Sequence, residues 1–444
     1  MKDYRKHIKN VNYLATILFV FWLPLKDNYF PVIISFWIFT WLLEGNFKTR
    51  FTTFPHKGLY IGILLYFILI VSSLFYTNDI DHGLFHIQEK LSIAFFPIIL
   101  LGSNEKVKQN YHTLLIVFVI ANLIASIYSL TNALIANIVV ENGTWFVKHW
   151  IWPEMQNESF WKLINIRASV FSYSHLSIFK HPAYFAMYLT FSISILVYLY
   201  KQKIAKKSWQ KILIIGTMVF FAFMIYLLQS SAGFITFGVV SILSVLYEFK
   251  AKQKKRYIFV GSIFIIMGIL ALSFSKPAQK RLKDYTYVIL NPKTSKLFEK
   301  DDRIGLWYSA VEVIKENFWL GTAPADLSDE LAKKYEKYNL EDAQEEKLNA
   351  HNQYLETFAG IGIFGFLSLI FILAYGFYHA YKKRNYLLLF LLVILTINFL
   401  FESMMNRMTG ILFMMFFYSL FIFMDNKPNK VSRLISDSKK NNYA

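Results

Sequence analysis

Cysteine does not occur anywhere in the 444 residues. Its absence excludes a disulfide framework and any thiolate chemistry. Acidic residues are scarce relative to basic ones, 29 against 47, which leaves a formal net charge of +18. In a soluble protein such an excess would suggest a nucleic-acid partner. Here the Lys and Arg residues gather in loops between apolar runs, so the charge reads as a membrane-orientation signal and no nucleic acid is implied. No internal repeat and no low-complexity tract is present. No cleavable signal peptide is recognisable either, and the apolar run at about 11–25 reads as an uncleaved first span.

What the chain has in abundance is apolar and aromatic surface. Hydrophobic residues make up 55%, with 44 Phe and 28 Tyr. Apolar runs of about 18 or more residues with few charges read as membrane-spanning helices. Backbone groups in lipid must be satisfied within each segment, which favours helices over an open sheet. The expected fold is an all-α polytopic membrane protein of about 12 transmembrane helices. One large helical loop, expected to be periplasmic, separates helices nine and ten. The expected units are spans one to nine over 1–275, the loop over 276–350, spans ten to twelve over 351–425, and a basic tail over 426–444.

Charge sets the orientation. Basic loops follow spans two, four, six, eight and ten, among them Lys201-Gln202-Lys203-Ile204-Ala205-Lys206-Lys207 and Tyr381-Lys382-Lys383-Arg384. They fall on one side together with both termini, and the positive-inside rule makes that side cytoplasmic. The expected location is therefore the bacterial inner membrane, with the active site on the opposite, periplasmic face. A connection rich in Trp, holding Trp145, Trp150, Trp152 and Trp161, is expected on that face at the membrane surface.

Ionisable groups at a membrane edge are expensive and are functional candidates by default. The densest group is Ala350-His351-Asn352-Gln353-Tyr354-Leu355-Glu356, at the junction of the long loop and span ten. His351 can take a proton in a transition state; a helix-start His satisfied by backbone or water is the plain alternative. Asn352 could orient a substrate hydroxyl, while Glu356 does not share the face of His351. Arg281, Arg303 and Arg407 are expected on the same side, where guanidinium groups hold phosphate bidentately. Snorkelling or pairing, such as Arg303 with Asp301 or Asp302, is the alternative for each. His181-Pro182 opens span six, and Pro suits a first helical turn. Glu402 could pair with Arg407. Asp79-Ile80-Asp81 has the form of a metal-dependent sugar-phosphate site, but three residues are a weak signal and a solvated acidic loop is the expected reading. Gly360, Gly362 and Gly365 would permit close helix packing. Sequons at Asn142 and Asn157 are too common a pattern to carry weight.

With these residues in view, the chain resembles the O-antigen ligase family of bacterial inner-membrane glycosyltransferases, whose superfamily includes O-antigen polymerases. The match is carried by His351-Asn352-Gln353-Tyr354-Leu355 with the trailing Gly360, Gly362 and Gly365. It continues in Arg303 with Trp307, in Gly321-Thr322-Ala323-Pro324-Ala325-Asp326, and in His181-Pro182-Ala183-Tyr184. Stretches around Glu89-Lys90-Leu91-Ser92 and Glu402-Ser403 to Gly410 are similar as well. Two departures stand out. Many members carry Ser-Arg-Gly after span seven, where this chain has Gln229-Ser230-Ser231-Ala232-Gly233, so a phosphate-binding Arg is missing. Ala323 also occupies a position where the family has glycine.

The resemblance implies a donor glycan on undecaprenyl pyrophosphate and metal-independent transfer to an acceptor hydroxyl, with lipid A-core or another glycan as acceptor and no cofactor. Arg281, Arg303, Arg407 and Lys90 would stabilise the pyrophosphate leaving group. His351 would be the base and Asn352 would position the acceptor, with His181, Tyr354 and Glu402 in support. A polymerase of the same family is the near alternative. A lipid-linked glycan flippase is the alternative from another class, although transporters usually show internal repeats. A non-catalytic envelope scaffold is a third.

Overall fold

A helix that is apolar on every side has no solvent face to present and belongs in the interior. Met408–Phe423 is such a helix. In the computed structural model all of its residues from Thr409 to Phe423 are buried. Phe413, Phe416, Phe417 and Phe421 stack on one another and on Phe118 and Phe191 of its neighbours. The structure describes residues 2–51, 56–141, 144–147, 171–248 and 302–423.

The main helices are α1 (Lys2–Trp22), α2 (Phe30–Glu44), α3 (Lys57–Ser72), α4 (Ile80–Leu101), α5 (Tyr111–Asn137), α6 (Pro182–Lys201), α7 (Ser208–Leu228) and α8 (Ser231–Glu248). Then come α9 (Asp302–Glu316), α10 (Leu327–Lys337), α11 (Gln353–Lys383), α12 (Tyr386–Phe401) and α13 (Met408–Phe423). Among the described residues six stretches are long and apolar enough to cross a membrane: Lys57–Phe75, Ile80–Leu101, Tyr111–Asn137, Pro182–Lys201, Ser208–Leu228 and Gln353–Lys383. Ser231–Val245, α12 and α13 are shorter apolar helices beside them. Each expected span coincides with a helix except the ninth, 257–274, which lies outside the described residues.

Helices α6 and α13 form the centre. α6 packs on α5, α7, α8 and α12, and α13 packs on α4 and α12. α6 tolerates this because Thr190 and Ser194 return their hydroxyls to the carbonyls of Ala186 and Thr190, at 2.8 and 3.0 Å. Gly233 lets α8 close on it, since a Cβ there would lie 2.5 Å from the Ala186 Cβ. The outer helices turn Val32, Ile61, Ile135, Ile212 and Leu213 outward, as a lipid-facing surface requires.

Besides α1, which begins at Lys2 rather than near Val11, four differences from the sequence expectation stand out. α4 begins at Ile80 rather than near Lys90, because Asp79 caps it by accepting from the His82 amide at 2.9 Å. That cap is the role the structure gives Asp79 of the Asp-x-Asp pair, with Asp81 in the first turn. α5 ends at Asn137 rather than Val139, and a two-stranded hairpin follows, Ile138–Glu141 with Thr144–Val147. Among the described residues this hairpin is the exception to an all-helical fold. Its sequence sign is a β-branched run with Asn142-Gly143 between the strands. α11 starts at Gln353 and continues through the basic residues to Lys383.

The fourth difference is a break within α11, at Ile361 and Gly362, where φ is −130° and +66°. The segment after α9 fills it. Thr322 and Ala323 amides donate to the carbonyls of Ala359 and Gly360, at 2.9 and 3.1 Å, and the Ile363 amide donates to Phe318 O at 3.0 Å. Buried backbone groups freed by a broken helix need such partners. Gly360 and Gly362 thus seat a loop rather than another helix. A Cβ on Gly362 would lie 2.1 Å from Trp319 O.

The α9–α10 unit has its own small core of Leu306, Ala310, Val313, Leu327, Leu331 and Tyr335. Asp326 fixes it to the α3–α4 connection by accepting from Thr77 Oγ1 at 2.9 Å and the Asn78 amide at 2.8 Å.

Candidate functional site

His351 is held by its backbone before its side chain is considered. Its φ is +44°, a left-handed conformation that is uncommon outside glycine and recurs at functional sites. The His351 amide donates to Asn349 Oδ1 at 2.9 Å, and the neighbouring Ala350 amide donates to the buried Glu356 carboxylate at 2.9 Å. Asn352 then caps α11, its Oδ1 accepting from the amides of Tyr354 and Leu355 at 3.0 and 3.2 Å. The Asn352 oxygen is therefore engaged in the cap, which supports the residue before it. The same Glu356 carboxylate accepts from Ser403 Oγ at 3.3 Å and from Asn406 Nδ2. Gln353 Oε1 accepts from the Met405 amide at 2.5 Å. One end of α11 thereby fixes the 402–407 turn against the His351 loop.

That turn delivers Glu402. Its backbone amide closes the end of α12 on Asn398 O at 2.9 Å. Its side chain bridges two partners: Oε2 lies 2.9 Å from His351 Nδ1, and Oε1 accepts from the Arg303 guanidinium at 3.2 Å. Burial raises the affinity of Glu402 for a proton, but the hydrogen bond and charge of His351, with Arg303 and His181, outweigh it and hold the carboxyl below its ordinary range. An ionised carboxylate only accepts, so His351 Nδ1 carries the proton facing Glu402, and in the neutral ring the lone pair is then on Nε2. An imidazole in that tautomer, oriented by a carboxylate and partly open to solvent, can take a proton from a substrate hydroxyl. The Arg303–Glu402 pair replaces the Glu402–Arg407 pairing expected from sequence.

Beside this group lies a cavity of about 350 Å³ lined by Asp27, Lys180, His181, Tyr184, Arg407 and Thr409, among others. His181 is the residue before Pro182, the first of α6. Burial lowers its pKa from the ordinary value, with Arg407, His351 and Arg303 acting in the same sense against Glu402. His181 is therefore within the field of Glu402, Arg407, His351 and Arg303. Its ring centroid is 6.3 Å from that of Tyr184. Gly410 lets the start of α13 approach the turn, for a Cβ there would lie 2.0 Å from Met404 O.

The remaining expected residues are elsewhere. Lys90 is buried on α4, its Nζ 3.3 Å from His86 Nδ1. It lines a separate void of about 20 Å³ with Glu356, Gln353 and Asn406. Tyr354 points away, its hydroxyl donating to Thr396 O at 3.2 Å and its ring against Phe399. Arg281 lies outside the described residues. Lys180 and Asp27 were not singled out from sequence. The only sign of Lys180 is its position directly before His181-Pro182. Gln229, in the stretch lacking the expected Arg, ends α7 with φ +46°, and Ser230 Oγ accepts from the Gly233 amide at 3.2 Å to start α8.

The fold and site together define a polytopic helical membrane protein with a His–Glu–Arg group where helices meet the α9–α10 unit. Residues 216–370 match the family model described as O-antigen ligase, and the resemblance read from the sequence is to this family. The matched stretch includes Arg303, the α9–α10 unit, His351 and the break in α11; Glu402, Arg407, His181 and Lys180 lie beyond it. No curated protein matches the chain.

Proposed function

We propose that this protein transfers a glycan from undecaprenyl pyrophosphate to an acceptor hydroxyl, lipid A-core or a similar glycan, at the periplasmic face of the inner membrane. The observation that carries the reading is the His351–Glu402–Arg303 group, with His351 Nδ1 and the guanidinium on the two oxygens of one carboxylate. His351 Nε2 takes the proton of the acceptor hydroxyl as its oxygen attacks the anomeric carbon. The bond from that carbon to the pyrophosphate oxygen breaks, and the diphosphate leaves with its electron pair. Fixed cations stabilise charge where it develops, which supports Arg407 and Arg303 on the leaving-group side; Arg281, outside the described residues, is proposed with them from the sequence alone. In this mechanism guanidinium groups take the part that a divalent ion plays in other glycosyl transfers.

The arrangement of charge supports the proposed face. The ends of helices that carry basic loops meet one another away from His351. The Lys201 ammonium lies 5.6 Å from the Tyr386 ring centre, and Asn385 reaches Phe421 O at 3.5 Å. A basic end opposite the site is what the positive-inside rule requires of an outward-facing site.

Purified protein given a lipid-linked oligosaccharide, with and without lipid A-core, tests the reading. Transfer to the core identifies a ligase and chain extension alone a polymerase. Passage of the lipid-linked glycan across vesicles without any transfer would contradict both. Arg303→Ala is expected to lower transfer far more than Lys333→Ala on the exposed face of α10; equal effects would contradict a role for Arg303 at the site.

A further inference from the structure

We infer that Asp27, Lys180, Thr409 and Arg407 form a seat for the diphosphate of an isoprenyl lipid, closed by the Asp27–Lys180 ion pair until the ligand displaces Asp27. The inference deepens the transferase reading and rests on it for the identity of the lipid.

The pair is asymmetric. The Lys180 side chain is 1% exposed and that of Asp27 is 45% exposed. A buried ammonium without a counter-charge is strongly destabilising, so a charged Lys180 needs an anion opposite it. Asp27 is under no such constraint, because its carboxylate already reaches the cavity and can turn into water. Thr409 Oγ1 donates to Asp27 at 2.8 Å and accepts from Lys180 Nζ at 3.3 Å. Once Asp27 leaves, that hydroxyl can donate to an incoming phosphate oxygen. Lys180 is further held over the Phe30 ring, 4.9 Å from its centre, a contact that keeps the cation in place whichever anion it faces.

The cavity lining selects the ligand. Lys180 pairs with Asp27 and Arg407 lines the same cavity, so a diphosphate in the place of Asp27 would bring two negative charges between two cations. Ile178 and Phe179 complete one wall, and Ile178 is partly exposed. An apolar wall beside a cationic pocket suits a charged head on a hydrocarbon tail. The volume of about 350 Å³ is in the range of small-molecule sites. Lys180 would then supply the charge that Gln229-Ser230-Ser231 does not.

The test is equilibrium binding of farnesyl diphosphate to the purified full-length protein in detergent, without acceptor, beside inorganic pyrophosphate. Lys180→Met is expected to weaken binding about tenfold or more, and Lys180→Arg to keep most of it. Asp27→Asn is expected to tighten binding, because the competing carboxylate is gone. A purely structural ion pair predicts the reverse: Asp27→Asn weakens binding as Lys180→Met does, and that result overturns the inference. Absence of farnesyl diphosphate binding by the wild type overturns it too, and equal affinity for inorganic pyrophosphate overturns the apolar wall. If either variant does not fold, Arg407→Gln decides: weakened farnesyl diphosphate binding supports the seat and unchanged binding overturns it. His351→Ala should bind like the wild type, so loss of transfer with binding intact separates failure of the chemistry from failure of the seat.

Discussion

Glu402 carries two duties at the scale of single residues. Its charge balances Arg303, and its oxygen fixes the tautomer of His351. Glu402→Gln keeps the shape and removes the charge, and the amide can turn a donor toward Nδ1. We expect transfer to fall about 10²-fold in kcat with little change in KM; an unchanged kcat would separate Glu402 from the chemistry. His181 gives a pH dependence of stability. Its folded pKa is depressed by burial, so below the ordinary value of 6.5 the unfolded chain binds a proton that the folded one refuses. Stability present above that value is lost as pH falls toward the depressed pKa. The unfolding temperature should therefore drop between pH 7 and 5, and His181→Gln should flatten that slope. A drop of equal steepness in the variant would assign it to other groups. Glu402 acts lower, its stabilisation being lost only as pH falls below 4.5.

Among the elements, the break in α11 and the 318–323 loop hold each other in place. Ala323 sits at φ +76°, a conformation that costs a residue with a Cβ about 1–2 kcal/mol. Ala323→Gly should raise stability by up to about 1 kcal/mol after the extra freedom of the unfolded glycine is subtracted. Gly362→Ala should lower it by about 2 kcal/mol or more, since its Cβ would meet Trp319 O. Thermal unfolding of the two variants against the wild type measures both. The trailing glycines were visible in the sequence, but their purpose was not. Spacing of Gly360, Gly362 and Gly365 suits helix contact, and nothing local says that a loop from before α10 would fill the gap. Apolar runs, by contrast, were legible because lipid imposes length and composition on each span independently. The His351 run was legible for a similar reason, since ionisable groups at a span boundary are costly. The pairing of His351 with Glu402 was not. It depends on how α11 and α12 end against each other, and Glu356 sets that through contacts to Ser403 and Asn406. Lys180 was hidden by ordinary company, a lysine before a helix-starting His-Pro pair.

For the whole molecule, charge is sorted along the helix axes, and the account places the α9–α10 unit outside. The absence of cysteine makes this directly measurable. Glu346 and Gln202 are exposed at opposite ends. In intact cells with a permeabilised outer membrane, Glu346→Cys should react with a membrane-impermeant maleimide and Gln202→Cys should not. Labelling of Gln202→Cys alone would invert the orientation. The most direct test of the central claim is the rate of glycan transfer by purified His351→Ala, matched to the wild type for folded protein and for farnesyl diphosphate binding. The account predicts that transfer from the lipid-linked donor disappears while binding persists. Transfer at the wild-type rate would contradict it.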